Sequence, residues 1–373
     1  MSVFIFCTLA LMEQLNFLML FEIIAFATAV FLGIHYLSSS QKNNRFLGWF
    51  LLLGFLPDLI IYVLYFFNKH EFEIEFPNTA FLYIPFLFFY AQNITAQFSK
   101  KSWRLLFPAF FTTVFHCIFQ FTEWELFVII ESILSYLFSI YICFIILKTV
   151  HTHQKNIAQY FSSLEDKTLN WLRILSIILI AFNLFWLVED LIFIFTPWEF
   201  YLPQISAFAT IITIYWIGFS SLKQPTIFKE EQIETEIIEE KELTKIEIDI
   251  FQIVEESMKA GALYKNKNLN LSDLALHLNK NEKILSRIIN TATKDNFYHY
   301  INSYRIRFFK QLLEEKQKNH LTLFGLAQEC GFNTKSTFYT AFKKAEDCTP
   351  NEWLQKISPN NGIRTSKRPY KHF

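Results

Sequence analysis

The sequence predicts an all-α protein in which a polytopic seven-helix membrane bundle is followed by a soluble all-α tandem helix-turn-helix domain. Three observations predict it. Seven apolar runs, each about 20 residues long and so able to cross a hydrocarbon core of about 30 Å as a helix, occupy residues 1–222. A pattern of two short helices around Leu274 and Ala275 recurs at Leu326 and Ala327. Finally, charge is unevenly shared: Lys and Arg against Asp and Glu number 10 and 14 in residues 1–222, 4 and 9 in 223–250, and 20 and 11 in 251–373. The last segment is therefore nine charges positive although the whole chain sums to zero.

Composition excludes a single soluble domain. Of 373 residues 52% are hydrophobic, 45 are Phe and only 18% are charged. Cys7, Cys117, Cys143, Cys330 and Cys348 lack short paired spacings, which argues against a disulfide framework or a thiolate metal site and for small buried residues. No cofactor is expected. His151 and His153 form an H-x-H without acidic or Cys partners at ligand spacing, so no metal is expected there.

The apolar runs lie near 15–37, 45–67, 76–98, 103–121, 126–147, 169–195 and 200–222. Gln92, Asn93, Gln97 and Pro108 interrupt the third and fourth, and Pro57, Pro85, Pro108 and Pro203 are sites for kinks. The first residues lack the basic region of a signal peptide, and Met12 is an alternative start that would leave 1–11 as an upstream extension. One set of loops carries Lys42, Arg45, Lys100, Lys101, Arg104, Lys148, Lys155, Lys167, Arg173 and Lys223, while the other carries only Lys69. Basic residues favour the cytoplasmic side, so the N-terminus is expected outside and the C-terminus in the cytoplasm, in a bacterial inner membrane. An odd number of spans agrees.

Ionisable groups in hydrocarbon are costly unless they face a bundle interior or a cavity. Glu22, Asp58, Glu131, Glu189 and Asp190, with His116, Gln120 and Gln204, all fall toward the outer ends of their helices. They are candidates for an outward-opening pocket taking a cationic or hydrogen-bonding ligand. The competing reading places them at headgroup level.

Residues 223–250 are acidic and only partly helical in period, which reads as a solvated linker with helical tendency, the alternative being a helix that pairs across a dimer and transmits movement. Beyond it, LSDLALHLNKNEKILSRIIN has helix-turn-helix logic: Ser272 to cap, Leu274 and Leu278 inward, Ala275 small at a helix crossing, and Asn281 capping the second helix. Leu285, Ile288 and Ile289 hold that helix down and leave Lys283 and Arg287 on the opposite face. In LTLFGLAQECGFNTKSTFYTAFKK, Gly331 ends the first helix and Asn333 or Thr334 caps the next. Phe338, Ala341 and Phe342 face inward, Lys335, Ser336 and Thr340 outward, and Lys343 and Lys344 sit at the end, suited to phosphate. INSYRIRFFKQLLEE joins the units as a helix, and residues 358–373 form a basic tail.

These residues resemble the DNA-binding domain of the AraC/XylS family of bacterial transcription regulators. The likeness covers 255–357 and rests on LSDLALHLN, LSRIIN, YRIRFFKQLL and above all LAQECGFNTKSTFYTAFKKAEDCTPNEW. It implies that Lys283 and Arg287, then Lys335, Ser336 and Thr340, are base-reading positions, with double-stranded promoter DNA and RNA polymerase as partners. Two departures stand out: Phe308 and Phe309 replace a usual small residue, and the loop ATKDNF lacks the usual glycine. The layout also resembles a group of such regulators with a seven-span region in place of a soluble sugar-binding domain. The expectation is a membrane-anchored regulator, not an enzyme, responding to a small-molecule, lipid or protein signal, as a monomer or homodimer. The alternative is a membrane transporter or receptor whose cytoplasmic helical domain binds protein.

Overall fold

The computed structural model describes residues 16–39, 44–68, 79–95, 97–119, 125–165, 167–195, 203–222, 242–314 and 321–357. The described residues fall into two compact units, one drawn from Met1–Gln154 and Asp166–Glu234, the other from Lys155–Glu165 and Thr235–Phe373.

Among the described residues of the first unit, seven α-helices stand where the seven apolar runs lie: α1 Asn16–Ser38, α2 Arg45–Asn68, α3 Ala80–Ile94, α4 Phe107–Phe119, α5 Glu125–Ile157, α6 Asn170–Phe195 and α7 Pro203–Leu222. Among the described residues, four helices are long and apolar enough to cross a membrane: Leu20–Ser38, Arg45–Leu64, Ile129–Ile157 and Asn170–Ile192. The apolar stretches Ala80–Ile94 and Phe208–Ser221 are shorter. Four of the seven expected spans thus meet the length criterion.

Side-chain placement in this unit is compatible with helices that cross a membrane. Phe31, Phe110, Phe111, Phe144 and Ile212 are exposed, whereas Glu22, Glu131, Ser135, Ser139 and Ser176 are buried. Ser135 and Ser176 donate to carbonyls of their own helices, those of Ser132 at 2.8 Å and Leu172 at 2.9 Å, partners that hydrocarbon does not supply. Helices α1 and α2 approach closely because glycines meet at their crossing: a Cβ on Gly48 would lie 2.8 Å from the Gly33 carbonyl oxygen. Tyr36 of α1 hydrogen-bonds Ser221 of α7, joining the first helix of the bundle to its last.

The second unit is built on α8 Lys245–Ala260, α9 Leu271–His277, α10 Glu282–Thr293, α11 Phe297–Glu314, α12 Leu323–Glu329, α13 Lys335–Glu346 and α14 Pro350–Ile357. Helix α8 begins inside the acidic stretch expected to be a linker. Its amphipathic sequence buries Val254 and Met258, and Glu247 accepts a hydrogen bond from the Thr244 amide at 2.9 Å to close its first turn.

Two small cores result. Val254, Met258, Leu271, Leu274, Leu285, Ile289, Phe297 and Ile301 form one, and Phe309, Leu326, Phe332, Phe338 and Phe342 form the other. Helix α11 runs through both, with Phe297 to Tyr304 in the first and Ile306 to Leu312 in the second. Phe309, a departure from the family pattern, is fully buried with its ring centroid 4.8 Å from that of Phe338. Phe308 lies under the Lys265 ammonium, 4.1 Å from its ring centroid. The extra aromatic volume is therefore used in packing.

Glu255 fastens α8 to α11. Its carboxylate accepts hydrogen bonds from the hydroxyls of Tyr300, at 3.1 Å, and Tyr304. Burial alone would push this carboxyl up, but Tyr304, Tyr300 and Lys259 outweigh burial and hold it below its ordinary value. A carboxyl depressed in the folded state contributes stability that is present above the unfolded pKa, about 4.3, and is lost as pH falls through the lower folded value. Glu255→Gln is expected to flatten this acid-side loss of protection in α8, measured by hydrogen exchange between pH 3 and 6.

Candidate nucleic-acid interface

The two helix-turn-helix units repeat closely. Helices α9 and α12 are seven residues each, and α10 and α13 twelve each. Ala275 and Ala327 are both buried where the paired helices cross, and Asn279 and Gly331 both take positive φ in the turn, at 50° and 100°. Glycine is required at 331, because a Cβ there would lie 2.7 Å from the Tyr264 carbonyl oxygen.

The second helix of each unit, α10 and α13, is capped as its sequence suggests. Asn281 Oδ1 accepts from the Lys283 and Ile284 amides at 2.9 and 3.3 Å, and Thr334 Oγ1 accepts from the Thr337 amide at 3.3 Å. The expectation for α9 is corrected: Asn270, not Ser272, is its cap, accepting from the Asp273 amide at 2.7 Å. The helix starts earlier than expected because Leu271 is needed in the core. Helices α10 and α13 end on left-handed residues, Lys294 at φ 55° and Asp347 at φ 53°, so the missing glycine of ATKDNF is replaced by a lysine in the same conformation.

The inward and outward faces fall as the sequence predicts. Leu285, Ile288, Ile289, Phe338, Ala341 and Phe342 are buried. Lys283, Lys335, Ser336, Thr340, Lys343 and Lys344 are exposed or half-exposed, and Arg287 is half-buried. Two of these cations have partners that the sequence did not disclose. Arg287 is ion-paired with Glu247 of α8, and Lys344 with Asp295 at 2.7 Å. Lys335 lies over the Tyr339 ring, 5.4 Å from its centroid. Lys283 and Lys343 are exposed on the same two helices, α10 and α13, giving each unit a cation on its second helix.

A feature that sequence reasoning missed holds the units together. Arg305, in the middle of α11, is 1% exposed. Its Nε donates to the Tyr264 carbonyl at 2.8 Å, Nη1 to the Ser162 carbonyl and Asn302 Oδ1, both at 3.1 Å, and Nη2 to Ser162 Oγ at 3.0 Å and the Asn266 carbonyl at 2.8 Å. All five N–H groups are thereby used. Burial lowers its pKa to about 10, which still leaves the guanidinium charged at neutral pH.

Ser162 belongs to residues 158–165, which follow α5 directly in the chain and pack within this second unit. The Ser162 amide donates to the Leu269 carbonyl at 3.1 Å, the Leu271 amide to the Tyr160 carbonyl at 2.8 Å, and the Tyr298 amide to the Ala158 carbonyl at 3.0 Å. Phe161 and Asn270 form an isolated antiparallel bridge. Beyond them, Glu165 Oε1 accepts from the hydroxyls of Thr334 and Thr337, each at 2.7 Å.

Of the residues expected to line a membrane pocket, Glu22 and Asp58 come close enough to interact, with Tyr62 beside both and Tyr83 beside Asp58. Glu131 is buried on α5 and Asp190 lies on α6. His116 and Glu189 lie on α4 and α6 with side chains outside the described residues, and Gln120 lies outside them altogether.

Among comparisons with known proteins, the family described as a helix-turn-helix domain matches residues 274–356, the span from α9 to α14. No curated protein and no solved structure matches the chain. The match supports an AraC-type, DNA-binding helix-turn-helix domain over residues 274–356.

The roles of the two kinds of cation are separable. Arg287→Ala is expected to cost about 1 to 3 kcal/mol and to relax sequence preference if its guanidinium reads a base edge. Lys343→Ala is expected to weaken binding evenly across sequences and reduce the salt slope by about one. Duplex binding measured over a salt series for both variants distinguishes them.

Proposed function

We propose that this protein is a membrane-anchored, sequence-specific transcription regulator that couples an extracytoplasmic or membrane signal to promoter binding. The single observation that carries the reading is the duplicated reader helix, α10 and α13, capped alike and bearing cations on its outer face, in a chain that also holds helices able to cross a membrane. Lys283, Arg287, Lys335, Ser336 and Thr340 are assigned to base edges, and Lys343 and Lys344 to phosphates. Seven spans, with the N-terminus outside, put the domain in the cytoplasm of a bacterial cell. The loop charges support that orientation, ten basic residues against one. DNA must then reach the membrane to be bound.

The signal shifts a population of the bundle between two arrangements, and the second unit responds through the chain segments that connect them. Promoter DNA and RNA polymerase are the cytoplasmic partners, membrane lipid surrounds the bundle, and a homodimer would suit paired sites. The polar cluster around Glu22 and Asp58 is the candidate for the ligand, of cationic or hydrogen-bonding character, because two carboxylates and two tyrosines converge inside apolar helices.

DNA crosslinked to the full-length protein in cells and then sequenced is expected to be enriched in a few promoter regions sharing a bipartite motif. Uniform genomic coverage would argue for the alternative, a membrane receptor or transporter whose helical domain binds protein. On a promoter so identified, Asp58→Asn is expected to alter the reporter response while leaving DNA binding by the purified protein unchanged. An unaltered response removes Asp58 from signal recognition.

A further inference from the structure

The segment 158–165 has no counterpart in the helix-turn-helix pattern, yet it supplies contacts to both units of the domain. Ser162 and Tyr160 pair with the extended approach to α9, Ser162 fills the Arg305 cradle, and Ser163 and Glu165 reach the turn and first residues of α13. The reach is specific. Asn333 Nδ2 donates to Ser163 Oγ at 3.3 Å, and the Glu165 carboxylate takes both hydroxyls, Thr334 and Thr337, that flank Lys335 and Ser336.

The N-terminal turn of a reader helix is where base edges and phosphates are met, because amides and the positive end of the helix dipole point out of it. A carboxylate seated there stabilises the helix but repels a phosphate approaching the same turn. The first reader helix shows an equivalent arrangement. Its half-buried Arg287 is paired with Glu247, which is itself only 13% exposed. The two acids come from different places: Glu165 from the segment between α5 and α6, Glu247 from the helix that follows the acidic connector after α7. Each is joined through the backbone to a helix of the membrane half.

We propose that Glu165 and Glu247 are latches, one on each reader helix, that oppose DNA until the segments carrying them are displaced. This rests on the reading of α10 and α13 as DNA readers. It gives the bundle two covalent routes to the domain, a loop that grips the second unit and a connector helix that grips the first. Movement of α5 against α6, or of α7, would then be transmitted as loss of a carboxylate from a reader face.

The test uses the full chain in lipid nanodiscs and a fluorescent random-sequence 40-base-pair duplex at low salt. Glu165→Gln with Glu247→Gln keeps both side-chain shapes and removes both charges. The double variant is expected to bind about three- to ten-fold more tightly than the native protein. Lys335→Ala with Lys343→Ala is expected to weaken binding in both backgrounds. Affinity unchanged or weaker in the glutamine variant, with the lysine effect intact, overturns the latch and leaves DNA reading standing. Absence of the lysine effect in both backgrounds overturns DNA reading, and the latch with it. A second variant, independent of any loss of fold in the glutamine protein, joins the segment to the turn by a disulfide through Ser163→Cys and Asn333→Cys. Oxidised protein is expected to bind the duplex several-fold more weakly than the same sample after reduction, and equal binding in the two states overturns the proposal.

Discussion

The second unit depends on one buried cation. A guanidinium removed from water is strongly unfavourable unless each of its donors is satisfied, and Arg305 meets that condition with oxygens from three separate stretches of chain plus Asn302 of its own helix. Those stretches are the turn after α8, the segment before α9, and residues 158–165. Its hydrogen bonds go to carbonyl, amide and hydroxyl oxygens, so dipoles hold the charge, with Glu165 contributing at longer range. Because α11 threads both cores, the residue that anchors these stretches is also the point where the two units meet. Gly331 must be glycine for a related reason: a Cβ there would come within 3.0 Å of Arg305 Nε. A turn residue of one unit and the central arginine of the connecting helix thus constrain each other.

The elements of this unit were legible in the sequence because their signals are local. Leu285, Ile288 and Ile289 against Lys283 and Arg287 is a helical period within one element, and Asn281 and Thr334 are caps defined by the residues that follow them. The cap of α9 was misplaced at Ser272 for an equally local reason, since Asn270 and Ser272 are both good caps and only the burial of Leu271 decides between them. The Arg305 cradle left no such trace. Its partner Ser162 is 143 residues away, and an arginine inside YRIRFF is indistinguishable by pattern from a solvated one. The same holds for Glu247, which reads as one more acid in a charged connector until α8 places it against Arg287.

In the first unit, periodicity was informative about position but not about partners. Every apolar run became a helix, because twenty or so apolar residues satisfy their backbone polar groups best by internal hydrogen bonding. Which faces meet was decided by small residues and hydrogen bonds that hydropathy does not rank: Gly33 against Gly48, and Tyr36 on Ser221. The convergence of Glu22 and Asp58 was foreshadowed by their shared depth, whereas the tyrosines beside them, Tyr62 and Tyr83, were hidden among the abundant aromatics.

The positive charge of the DNA-binding unit is less available than its sum suggests. Arg287 and Lys344 each already hold an acid. A partly exposed ion pair contributes on the order of 1 kcal/mol or less, while a good bidentate base contact contributes about 1 to 3 kcal/mol. On the proposed reading of Arg287, a base edge must take it from Glu247, with a smaller net gain than a free arginine would give. Where only a weak contact is offered, the arginine stays on its acid and adds nothing. On that reading the pair sets a threshold that a DNA sequence must exceed. Where nonspecific DNA is in large excess, weak nonspecific binding is what leaves a DNA-binding domain free for its specific site.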